Sequence, residues 1–172
     1  MKELRNTIFA RPVRTVVILA MCVAVNLLGK YIAAYFSLPL WLDAFGTIFA
    51  AYVLGPVGGA VAGGLGNVIF AQWNVISLVY ALVSIYIGIS AGLMARKGWF
   101  ESLFEATTLA GVVTLGSVIL STVLNLAFYE GSTGNIWGDG VKDYLSENGL
   151  NTILAALQNL QRTPAGLSRP RR

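Results

Sequence analysis

Residues 38–70 read LPLWLDAFGTIFAAYVLGPVGGAVAGGLGNVIF, and Asp43 is the one charged side chain among them. A single helix over this stretch would be about 50 Å long, well beyond a hydrocarbon core of about 30 Å. Gly55-Pro56 falls in the middle, and Gly-Pro is strong turn punctuation. The stretch therefore predicts a tight hairpin of two short apolar helices, about 42–54 and 57–70. With both arms short, tilting, kinking or partial insertion of one is expected.

The rest of the chain is built of the same material. Of its 172 residues 56% are apolar or aromatic and only 12% are charged, with a mean hydropathy of +0.69. Soluble domains carry about 25% charge. The shortfall excludes an ordinary soluble domain, a disordered chain and a nucleic-acid-binding module. It predicts an all-α fold, a polytopic transmembrane helix bundle, and the length allows about five or six spans. No room is left for a separate catalytic or ATP-binding domain.

Outward from the hairpin, three further apolar runs read as spans at 13–36, 75–95 and 107–128. The basic start before the first run also fits a signal peptide. The length of the run and the presence of Asn26 and Lys30 in its second half favour a retained span. Residues 129–150 form the longest polar stretch, read as a loop with a short helix near 141–148. With the N-terminus in the cytoplasm, Lys2, Arg5, Arg11, Arg14, Arg96 and Lys97 all lie inside and the 129–150 loop lies outside, which satisfies the positive-inside rule. The 1–150 bundle is followed by an atypical basic tail, 151–172. Its few apolar residues cannot cross a bilayer, and its abrupt change of composition reads as a truncated or frame-shifted end, with a naturally short tail as the alternative.

Chemistry is constrained by absences in this composition. There is no His, and the lone cysteine, Cys22, lies in an apolar run as a small hydrophobe. Nothing in the sequence pairs a nucleophile with a base, clusters metal ligands or cradles a phosphate, so the chain reads as a non-enzyme without a cofactor. Small residues four apart let helices approach closely. The strips Gly55/Gly59/Gly63 and Gly88/Gly92 are expected to pack within the bundle. Ala20 and Ala24 fit internal packing and a partner helix equally.

Polar groups concentrate at the expected outer side: Asp43, Asn67, Gln72, Trp73, Asn74, Asn125, Tyr129, Asn135, Trp137 and Asp139. Amides offer directional hydrogen bonds and indoles offer stacking surfaces, a set suited to a small, partly aromatic ligand. An interfacial aromatic belt with loop polars is the plainer account, favoured for Trp41 and Trp99. For Asp43 a helix N-cap and a cavity-facing carboxylate are both open.

Three segments together, Leu40-Trp41-Leu42-Asp43-Ala44-Phe45-Gly46-Thr47, Leu54-Gly55-Pro56-Val57-Gly58-Gly59-Ala60 and Gly63-Gly64-Leu65-Gly66-Asn67, follow a basic N-terminus and an Ala-x-x-x-Ala first helix. In this order they resemble the S component, the substrate-capturing membrane subunit, of energy-coupling factor (ECF) vitamin transporters. The resemblance implies a six-helix bundle that binds a micronutrient near its outer face. It also implies docking on a transmembrane T subunit, which works with two ATPase subunits, and a place for Ala20 and Ala24 in that docking. Against this expectation the sixth helix is missing or incomplete. A ligand-sensing membrane module of a signalling protein is the alternative, and an intramembrane enzyme is the weakest reading. The expected surroundings are lipid, a small nutrient and protein partners, with no nucleic acid.

Overall fold

The computed structural model describes residues 12–36, 38, 42–128, 143, 144 and 147. The chain divides into two units, Met1–Glu130 and Gly131–Arg172. In the second, Asp143 and Tyr144 are helical and exposed. The region of the expected sixth helix and the tail after residue 150 lie outside the described residues.

The described residues of the first unit form five helices: α1 (Pro12–Tyr35), α2 (Ala44–Leu54), α3 (Pro56–Phe70), α4 (Ile76–Ala95) and α5 (Leu103–Phe128). No strand occurs among the described residues, and the all-α expectation holds. The helix limits follow the expected spans closely, except that α5 begins a turn early. Glu105, read from the sequence as part of a loop, lies in its first turn, where a carboxylate interacts favourably with the helix dipole. Three helices, α1, α4 and α5, are long and apolar enough to cross a membrane. With 11 and 15 residues, α2 and α3 reach only about 16 and 22 Å.

The α2–α3 turn rests on one residue. Gly55 has φ +84°, a conformation that costs glycine little and other residues much. Pro56 then opens α3 at its first position, where its missing N–H would have had no helical partner anyway. Arg96 from the end of α4 lies against this turn.

Packing between helices is unusually close at glycine. A Cβ on Gly88 would strike the backbone of Gly59, one on Gly63 the backbone of Ser84, and one on Gly92 the backbone at Pro56. These pairings run antiparallel down the α3–α4 seam, the most extensive helix contact in the unit. The glycine strips thus serve the bundle's own packing, as expected. Similar contacts join α1 to α2, at Gly29 against Leu42 and Gly46 against Cys22. Cys22, Val23, Ala50 and Ala62 form the apolar centre of this α1–α2–α3 cluster. Tyr80, Val83 and Leu124 form a second cluster where α5 meets α4. Since neighbouring helices alternate in direction, the α1–α2 and α3–α4 connections share one end of the bundle, the Asp43 end. The α2–α3 turn and the α4–α5 connection share the other.

Candidate functional site

Asn26 and Lys30 stand one turn apart on the same face of α1, which turns both inward. Asn26, 2% exposed, ties three helices together. Its Nδ2 donates to Thr47 Oγ1 on α2 at 2.9 Å and to the Ala62 carbonyl on α3 at 3.4 Å, while its Oδ1 accepts the Thr47 N–H at 3.1 Å.

One turn nearer the Asp43 end, Lys30 gathers a larger set. Its ammonium donates to Asn67 Oδ1 on α3 at 2.6 Å and to Ser77 Oγ on α4 at 2.8 Å. Asp43, at the entry to α2, places Oδ2 3.4 Å away, and the Phe70 ring centroid is 5.1 Å from Nζ. Asn67 is fixed in turn: Nδ2 donates to the Gly63 carbonyl at 3.0 Å and to Ser84 Oγ at 2.7 Å, and Oδ1 also accepts the Ser77 hydroxyl at 2.9 Å. An ammonium at this depth needs such partners, because an isolated charge away from water is very costly. Lys30 has three donors; Asn67 and Ser77 take two, and Asp43 supplies the opposite charge. No buried side-chain nitrogen or oxygen among the described residues lacks a partner.

The sequence-derived set is thus only partly brought together. Asp43 and Asn67 meet through Lys30. Asp43 sits at the N-cap of α2 but makes no side-chain cap bond, so the capping account is corrected: its backbone is helical, φ −74° and ψ −7°, and not the extended form of a capping residue. Asn125 is buried away from this network and accepts a 2.7 Å hydrogen bond from the Tyr80 hydroxyl. Gln72, Trp73 and Asn74 are exposed on the α3–α4 connection. Asn74 Oδ1 accepts the Ile76 N–H at 3.1 Å, a local turn of the kind asparagine favours. Trp73 is 74% exposed, its ring 6.1 Å from that of Phe70. Tyr129, Asn135, Trp137 and Asp139 lie outside the described residues. Ala20 and Ala24 are exposed on α1 among the described residues.

Lys30, Asn26, Ser77 and Ser84 are absent from the sequence-derived set. The available signal was the Asn26-x-x-x-Lys30 spacing, which puts an amide and a charge on one face of an otherwise apolar helix.

Comparison with known proteins adds a family. No curated protein and no solved structure matches the chain. A family model described as "ECF transporter, substrate-specific component" matches residues 14–158. With most of its length inside that match, this helical membrane protein belongs to the family of substrate-specific components of ECF transporters.

Proposed function

We propose that the chain captures a small water-soluble micronutrient from outside the cell and delivers it for ATP-driven uptake by partner subunits. A T subunit would receive it in the membrane, and two ATPase subunits would supply the energy, leaving this chain with no catalytic step of its own. The observation that carries this reading is the Lys30 network. In a family of substrate-specific subunits, polar side chains from α1, α3, α4 and the entry to α2 gather near one end of an apolar bundle. Positive-inside placement of Arg96 and Lys97 puts that end outside. Exposed Trp73 at the same end offers a stacking surface, and Trp137 is a sequence-derived candidate for ligand stacking.

The exposed Ala20/Ala24 strip is the proposed docking face for the T subunit, since small residues let helices approach closely in lipid. Co-expression of a tagged chain with the T subunit and ATPases of its own genome tests the reading. We expect all three partners to co-purify, and uptake of a radiolabelled vitamin from a panel to depend on the chain. Ala20→Leu or Ala24→Leu should lower co-purification while leaving the chain monodisperse. Trp73→Ala and Trp137→Ala should lower uptake with co-purification intact. A chain that purifies without these partners and supports no uptake would favour the sensory alternative.

A further inference from the structure

The three oxygens around Lys30 are not equivalent. Asn67 and Ser77 hold the ammonium at 2.6 and 2.8 Å. Asp43, the one carrying opposite charge, stands back at 3.4 Å, longer than the 2.7–2.9 Å or so of a charge-assisted hydrogen bond. Lys30 is therefore positioned by neutral groups, of which Asn67 is itself pinned by Gly63 and Ser84, and its charge is neutralised by a carboxylate at longer range.

The two partners also differ in where else they could go. Lys30 projects from the interior of α1 among Asn67, Ser77 and Phe70, with its side chain 14% exposed against 11% for Asp43. Asp43 occupies the N-cap position of α2 with its cap bond unmade. The first N–H groups of a helix have no intrahelical partner and favour a carboxylate. The backbone of Asp43 is helical, φ −74° and ψ −7°, so reaching those groups takes a backbone turn toward the extended form of a capping residue. A ligand cation in place of Lys30 would leave two positive charges side by side. A ligand anion in place of Asp43 keeps the ammonium paired with an opposite charge.

The geometry points to Lys30 as the anchor for a carboxylate of the captured molecule, with Asp43 as the resident carboxylate that the ligand displaces. This rests on the substrate-capturing reading and narrows its substrate class to small organic acids. The neighbouring Phe70 ring, 5.1 Å from the ammonium and packed near Trp73, offers an apolar wall beside the acid group.

Acid and neutral twins test this on the full-length chain in lipid nanodiscs, with affinities read by calorimetry. The probes are nicotinate against nicotinamide, biotin against biotinamide, and pantothenate against pantothenol. At least one acid is expected to bind about tenfold or more tightly than its neutral twin, since only the acid meets the ammonium with a charge. Asp43→Asn should tighten that acid further by removing its competitor, whereas an ion pair that merely braces the fold would weaken all binding when broken. Lys30→Met should erase the difference between acid and twin, and Lys30→Arg should retain part of it. No acid binding more tightly than its twin, including the case where none binds, overturns the inference, and so does weaker acid binding in Asp43→Asn. Neither of these two overturning outcomes needs a Lys30 variant, so a misfolded Lys30→Met leaves the outcome decided. Co-purification with the T subunit is scored separately, so that this anchor can fail while the capturing role stands.

Discussion

At the scale of single residues, Asn26 does more than any apolar neighbour to fix the arrangement of the first three helices. Its amide satisfies both the backbone N–H and the hydroxyl of Thr47, and Thr47 is fully buried. Asn26→Ala strands those groups, at a cost of about 1–3 kcal/mol for a buried polar group left unpaired. Cys22 provides the measurement. It is the chain's one cysteine and is 2% exposed, so a thiol-reactive dye reports unfolding directly. The temperature at which Cys22 becomes reactive should fall clearly in Asn26→Ala and little in a variant of exposed Trp73. The same comparison separates what could and could not be read from residue order. Asn67 and Asp43 stand out in the sequence because each is isolated in apolar surroundings. That Lys30 joins them depends on the register of α1 against α3, which no local pattern encodes. Asn125 shows the converse: the residue is conspicuous, but its hydroxyl partner Tyr80 looks like any aromatic side chain on an apolar helix.

At the scale of helices, glycine position matters more than glycine count. Gly88 and Gly111 are both interior to apolar helices, yet the same substitution should act on them differently. A Cβ on Gly88 meets the backbone of Gly59, whereas one on Gly111 meets nothing within 4 Å. Gly88→Ala should destabilise the chain by about 1–3 kcal/mol, the usual cost of overpacking. Gly111→Ala should be neutral or slightly stabilising, because it removes only backbone freedom. Thermal melts of the two variants in the same detergent give the contrast, and equal losses would show that the α3–α4 seam yields easily. This much was legible beforehand, since Gly55/Gly59/Gly63 and Gly88/Gly92 have the four-residue spacing of a helix-packing strip. The early start of α5 was not, because a pair of glutamates after Arg96-Lys97 resembles a loop until Glu105 is seen in a first helical turn.

At the scale of the whole molecule, the proposed orientation rests on the basic residues and the proposed site on the Asp43 end. Asn74 and Lys97 are exposed at opposite ends. In intact cells, a cysteine at position 74 should react with a membrane-impermeant reagent and one at 97 should not. The reverse pattern would turn the proposed site toward the cytoplasm and remove the case for capture from outside. The five-helix order was readable from hydropathy and the Gly55-Pro56 turn. The convergence of four elements on one ammonium was not, because it arises only when two short helices pack between two long ones.

The backbone contacts between α3 and α4 also set how the molecule responds to cold. In water, the drive to bury apolar groups fades on cooling and lends folded domains a lower temperature limit. Two helices parting within lipid wet no apolar surface, and what holds them is close contact and weak hydrogen bonds between chains. A seam in which Gly59 and Gly88 bring their backbones together therefore has no hydration term to lose as the membrane cools.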